Sequence, residues 1–199
     1  MDGHVVDLGR IAEDARALVG GKAATLAVLS RTPGVRVPPG FCVTTRAWHD
    51  AVAGTPEMAG LARTLDRAED DADVRDLSAR VREAVTSAPV PEEVRAAVAA
   101  ALSRHGAGGA WAVRSSATTE DGAGASAAGQ HDSVLGVVGP DAVLVALRRC
   151  WASAWTERAV RYRRRRGDGA AFAMAVVVQR MADGKSSLLV EYEGVSWKP

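Results

Sequence analysis

The chain has 199 residues, 47% of them hydrophobic, and its 25 basic and 24 acidic residues leave a net charge of +1. That length suffices for a buried core without disulfide or metal staples, and the charge balance removes any global argument for a nucleic-acid or membrane partner. Two distant cysteines, Cys42 and Cys150, exclude a disulfide scaffold and a thiolate zinc site and fit a reducing compartment. No stretch approaches the ~20 apolar residues of a membrane span. Asp2, His4 and Asp7 give the N-terminus none of a signal peptide's layout, so a soluble, cytoplasmic protein is expected. Alanine supplies 39 residues, which favours helices over sandwiches.

Residues 1–9 predict an edge strand or an extended lead-in. In GGKAATLAVLSRT, Ala23, Leu26, Ala27 and Leu29 recur at helical spacing behind a glycine pair and before Pro33, so a loop opens into a helix at Gly20. VRVPPGFCVTT reads as a turn and then a strand, with Thr44 or Thr45 capping a helix from Arg46 to Ala53. Residues 57–105 predict two or three amphipathic helices, broken between Ser87 and Pro91 and ended by HGAGG. A short strand, Ala110–Arg114, precedes a long stretch of small and polar residues, and a second strand follows at Ser133–Val137. Residues 141–166 predict one long helix with an apolar stripe of Val143, Leu147, Trp151, Trp155 and Val160. MAVVVQRM is a buried strand by its continuous β-branched run, and SSLLVEYE is expected to be another.

Three places carry chemistry. Gly20, Gly21 and Lys22 resemble the end of a phosphate loop, but Arg16 and Ala23 stand where the Walker pattern needs glycine and a hydroxyl. A glycine pair still lets backbone amides approach an anion, with a lysine adding a movable charge; spacing alone leaves an ordinary helix start open. Arg114, Ser115 and Ser116 suit a polyanion, since guanidinium offers a planar fork and small neighbours allow close approach. A surface arginine beside a linker is the alternative. Gln179 closes a buried strand whose end can hold a flat heterocycle, as the end of any buried strand can. The run Arg161, Arg163, Arg164, Arg165 and Arg166 is expected to be a solvated helix terminus favoured by the macrodipole. The four histidines share no metal-ligand spacing, and no nucleophile elbow is present.

Taken in order, GGKAATLAVL, VPPGFCVTT, AVRSSATTEDGAGASAAGQHDSVLGV, CWASAWTERAVRYRRRRG and MAVVVQRM resemble the N-terminal ATP-binding domain of the phosphoenolpyruvate synthase and pyruvate phosphate dikinase family. GQHDS resembles the rifampicin phosphotransferase branch most. The resemblance implies an α+β chain with part of an ATP-grasp fold: a mainly antiparallel sheet with a helical insertion near 57–105 packed outside it. It implies that Lys22 and Arg114 contact ATP phosphates, close enough together to engage one triphosphate. Gly129 and Ser133 would line the nucleotide loop, and Gln179 would sit at the adenine end. No residue here is expected to be catalytic in its own right or to ligate a metal.

The chain also departs from the family. ADGKSSLLVEYEGVSWKP replaces the segments that lead to the family's magnesium-holding acidic and glutamine residues, and Glu191 and Glu193 read as a solvated strand face. The glycine-pair-histidine motif of the swivelling domain is missing, and Ala127 stands where relatives usually carry an aromatic residue. The expected function is therefore the ATP-binding portion of an ATP-dependent phosphotransferase, a fragment inactive alone, with the second half of the clamp and the phosphohistidine domain supplied by missing C-terminal domains or a separate chain. Magnesium is expected only in the full-length enzyme. A non-catalytic nucleotide-binding or interaction module derived from the family is the alternative; neither nucleic acid nor membrane is expected as a partner.

Overall fold

The computed structural model describes residues 3–68, 70–106, 108–119, 133–167, 172–181 and 191–192. Among these, β1 (Val5–Asp7), β3 (Gly40–Val43), β6 (Met174–Arg180), β4 (Trp111–Ala117) and β5 (Ser133–Val137) form one sheet in that spatial order, antiparallel at every pairing. A separate ribbon pairs β2 (Val35–Arg36) with β7 (Glu191–Tyr192). The expected α+β class and the sharing of one sheet by strands near 40–44, 110–114, 134–137 and 173–180 both hold. Of SSLLVEYE, only Glu191 and Tyr192 fall within the described residues.

β6 is the middle strand, and its residues from Met174 to Gln179 are all buried because both faces of the sheet are covered. Side chains alternate between the faces. Met174, Val176 and Val178 join Phe41, Val43, Trp111 and Val113 in the larger core. Ala175 and Val177 join Cys42 in a smaller one beneath α1 (Arg16–Arg31), which contributes Val19, Ala23, Leu26 and Ala27. The larger core is closed by the expected helical block, α3 (Pro56–Arg67), α4 (Asp71–Ser87) and α5 (Glu92–Arg104), together with α6 (Pro140–Ala152) and α7 (Glu157–Arg166). Helix starts in the block are chemically marked: Thr55 accepts the Met58 N–H at 3.4 Å ahead of Pro56, and Asp70 accepts the Ala72 N–H at 2.6 Å.

Three local expectations are corrected. The predicted long helix breaks after Ala152 into a 3-10 turn, Ser153–Trp155, and restarts where the Thr156 hydroxyl accepts the Ala159 N–H at 3.2 Å. At the break Trp155 stacks on Trp48, with ring centroids 5.8 Å apart, and the apolar stripe stays buried throughout. Thr44 does stand before the short helix α2 (Thr45–Trp48), which continues as a π-helical turn over His49–Ala53. Its hydroxyl, however, donates to the Gly3 carbonyl and that of Thr45 to the Ala17 carbonyl, so they tie down β1 and α1 rather than cap.

The arginine run is the third correction, and a partial one. Arg161 pairs with Asp71 at 2.6 Å, and Arg164 donates to the Leu65 and Ala68 carbonyls at the C-terminal end of α3. Arg163 donates to the Ala154 carbonyl and lies 4.4 Å over the Phe172 ring. Burial pulls its pKa down to about 10, which still leaves it charged at neutral pH. Arg163 and Arg164 therefore satisfy carbonyls near helix ends and Arg161 pairs with a carboxylate, while Arg164 and Arg165 keep the exposure expected of a solvated terminus. Arg163→Ala should cost about 2 kcal/mol in urea unfolding, whereas Arg165→Ala, at an exposed position, should stay within about 0.5 kcal/mol.

Edge strand β1 is held to α5 by charge. Asp7 accepts from His105 Nε2 at 2.9 Å and from Arg104 at 3.3 Å. Burial pushes the Asp7 carboxyl up, but the two donors outweigh it and hold it below the usual carboxylate range. A pKa depressed in the folded state contributes stability that is present above the unfolded value of about 3.9 and is lost as pH falls through the folded one. Urea midpoints of Asp7→Asn should accordingly vary less between about pH 2 and pH 5 than those of the unsubstituted chain. Equal slopes would remove Asp7 from the acid sensitivity of the fold.

Candidate functional site

β4 runs to Ala117, three residues past its expected end at Arg114, so Ser115 and Ser116 are strand residues with 1% and 0% exposure. Because Trp111, Val113 and Ala117 enter the larger core, alternation turns Ala112, Arg114 and Ser116 toward the face that α1 covers. Register extends that face sideways. Arg114 stands opposite Val177 in β6 and Ser133 in β5, and Gln179 stands opposite Ala112 and Gly40. Arg114, Ser133 and Gln179 therefore share one side of the sheet, with Gln179 one diagonal step from Arg114.

Lys22 reaches the same place from α1. The helix begins at Arg16 rather than at Gly20, but it is broken at Gly20, whose φ of 74° and ψ of 174° are not helical. A Cβ at Gly20 would lie 2.0 Å from the Ser116 carbonyl oxygen and 2.6 Å from its hydroxyl, so the two backbones meet at a distance only glycine permits. The Ser116 hydroxyl donates to the Val19 carbonyl at 2.8 Å and accepts the Ala23 N–H at 3.1 Å, one contact on each side of the break. Past the break, Lys22 Nζ donates to the Ser115 carbonyl at 2.9 Å. β5 pairs with β4 at Trp111, Val113 and Arg114, and no described residue of β5 stands opposite Ser115. The lysine thus sits on a carbonyl just past the β4–β5 ladder, one residue along the strand from Arg114.

Of the residues singled out from sequence, Lys22, Arg114 and Ser133 converge on this end of β4, and Gln179 lies beside them on β6. Gly129 lies outside the described residues. Gln179 is fully buried; its Nε2 donates to the Pro38 carbonyl at 3.0 Å, while Oε1 is buried without a hydrogen-bond partner. A buried acceptor left unmet costs about 1–3 kcal/mol, so a group bringing a donor to that atom is favoured. Chemically, an ammonium seated on the Ser115 carbonyl and an arginine at the adjoining strand position offer a point charge and a planar fork to one polyanion. Gly20 and Ser116 stood out in the sequence only as small neighbours of Lys22 and Arg114, and their contact with each other was not foreseen. Their signal was consecutive small residues, GG and SS, in two segments that fold against each other.

Two other features lie apart from this constellation. A cavity of about 340 Å³ lined by Trp48, Met58, Trp155, Arg163 and Phe172 belongs to the side of the larger core. Among the described residues no group of three or more His, Cys, Asp or Glu side chains is placed to hold a metal ion; His4 and His105 are engaged with Asp50 and Asp7, each at 2.9 Å. No described helix is long and apolar enough to cross a membrane.

The Gly20 contact separates two glycine substitutions. Gly20→Ala should destabilise the chain by about 3 kcal/mol or more, because backbone would have to move. Gly60→Ala, within α3 where an added Cβ meets nothing within 4 Å, should stabilise it by about 0.5–1 kcal/mol. Thermal unfolding of both variants checks the pair.

The profile of the family described as pyruvate phosphate dikinase, AMP/ATP-binding domain, matches residues 16–196. The chain is 52% identical over 186 residues to a rifampicin phosphotransferase of a Streptomyces species, covering 92% of this chain and 22% of that protein. It is 40% identical to the rifampicin phosphotransferase of Bacillus subtilis over 94% of its own length and 22% of the relative's. A probable phosphoenolpyruvate synthase of Methanothermobacter thermautotrophicus is 35% identical over 92% of this chain and 28% of its own. The sequence therefore spans between about a fifth and little more than a quarter of the length of these relatives. With a match running from α1 through β7 and across both segments that carry Lys22 and Arg114, the chain belongs to the pyruvate phosphate dikinase AMP/ATP-binding domain family.

Proposed function

We propose that the chain is the ATP-binding segment of a cytoplasmic, ATP-dependent phosphotransferase of the rifampicin phosphotransferase type, and that Lys22 and Arg114 hold the triphosphate. The observation that carries this reading is the seating of Lys22 Nζ on the Ser115 carbonyl, beside Arg114, by two segments 93 residues apart in sequence. Identity of 52% to a relative of that name supports the branch.

In this reading the triphosphate lies along the end of β4, Ser133 and Gly129 line the loop around it, and the base lies toward Gln179. Oε1 of Gln179, buried and without an acceptor's partner, suits an exocyclic amine. Lys22 moves its ammonium from the Ser115 carbonyl to phosphate oxygens, and Arg114 grips them with two parallel N–H groups. Neutralising and orienting the phosphates is the main task of a protein in phosphoryl transfer, where little covalent help is needed. The accepting histidine, the second half of the clamp and the final acceptor belong to other parts of the longer enzyme. In that enzyme magnesium would accompany the triphosphate.

In the enzyme that contains this segment, Lys22→Ala or Arg114→Ala should lower kcat/KM for ATP by about 10²-fold or more, as loss of a charge-stabilising donor does. Unchanged turnover in both variants, with folding intact, would leave the pair a purely structural role.

A further inference from the structure

The break at Gly20 makes Gly21 the first residue of the helix proper, so Gly20 holds the position where a helix is normally capped by its own side chain. Glycine has none. The third N–H of that helix, on Ala23, is instead accepted by the Ser116 hydroxyl at 3.1 Å, and the same hydroxyl donates to the Val19 carbonyl at 2.8 Å, just before the break. Ser116 is fully buried, so water cannot take its place. A residue 93 positions away thus supplies the cap that the sequence beside the helix lacks. Lys22 is the second residue of that helix, between the glycine that breaks it and the alanine that Ser116 holds.

We infer that Ser116 is a positioning residue for ATP: its hydroxyl fixes the first turn of the helix carrying Lys22 and so sets where the lysine ammonium meets phosphate. This inference rests on the reading of Lys22 as a phosphate contact. The physical argument is local. A lysine side chain has four rotatable carbons, so its charge is placed only as well as its backbone is held. Lys22 lies in a turn whose own start is glycine, the residue with most backbone freedom to lose. Ser116 is anchored in the sheet by β4 pairing with β6, where it stands opposite Ala175. One hydroxyl bonded to both sides of the break therefore ties the first turn of the helix to the sheet. It also fixes the helix against the very strand that presents Arg114, so both cations keep one spacing.

The test is ATP binding to the 199-residue chain by calorimetry, with adenosine as the phosphate-free control and with Ser116→Ala, Lys22→Ala and the double variant. Losing a helix cap is worth about 1 kcal/mol, so Ser116→Ala should weaken ATP binding about fivefold and leave adenosine binding unchanged. In the Lys22→Ala background the same substitution should have no further effect, because the group it positions is gone. Ser116→Thr, which keeps the hydroxyl, should restore ATP affinity. If Ser116→Ala does not fold, Ser116→Cys, with similar volume and a weak acceptor, is read by the same criteria. The inference is overturned if Lys22→Ala weakens ATP binding while Ser116→Ala does not, if the two losses simply add, or if adenosine binding falls as much as ATP binding. Lys22→Ala leaving ATP affinity intact would instead overturn the phosphate reading of Lys22 on which the inference stands.

Discussion

Everything in the candidate site depends on how closely α1 approaches β4. Helices ordinarily pack on sheets through side chains, which keep the two backbones apart. Here Gly20 removes the spacer, and its α-carbon abuts the Ser116 backbone so closely that one added carbon would lie 2.0 Å from the carbonyl oxygen. Small side chains extend the approach along the face: Ala23 and Ala27 from the helix lie over Ala175, Val177 and Cys42 from the sheet. Only at that separation can the Ser116 hydroxyl bridge both sides of the helix break and Lys22 span from helix to strand.

The two cores divide the labour. The larger one, with its tryptophans and three added helices, supplies most of the buried apolar area and holds β4 and β6 in register. Because β6 is buried on both sides, its partners cannot slip by one residue without turning Val176 and Val178 toward α1 and Ala175 and Val177 toward the tryptophans. That register also decides the chemistry, since Arg114, Ser133 and Gln179 share a face only with Arg114 opposite Val177 and Ser133, and Gln179 opposite Ala112. The smaller core is less a source of stability than a surface shaped for close approach.

Much of this was legible in the sequence, for identifiable reasons. Strand β6 announced itself by an unbroken β-branched run, and α3 to α5 by amphipathic periodicity and the break at Ser87–Pro91, because those signals are local. The break at Ser153–Thr156 was not legible by periodicity, since the apolar stripe continues across it; the restart depends on one threonine hydroxyl. The partners of Arg164 were hidden because its acceptors, the carbonyls of Leu65 and Ala68, lie almost 100 residues away. Likewise Lys22 and Arg114 were suspect from residue type and from family resemblance, but the pair that joins them, Gly20 and Ser116, is a tertiary contact. Its chemistry is carried by backbone and a single hydroxyl, which residue counts and spacing do not reveal.

On the proposed reading, ATP phosphates meet the protein where α1 touches β4. Amide chemical-shift mapping during an ATP titration of the 199-residue chain tests it most directly. The largest shifts are expected at Gly21, Lys22 and Ala23, at Arg114 to Ser116, and at the Gln179 side-chain amide. Shifts confined to the cavity lined by Trp48, Trp155 and Phe172, with the Lys22 turn and β4 unmoved, would contradict it.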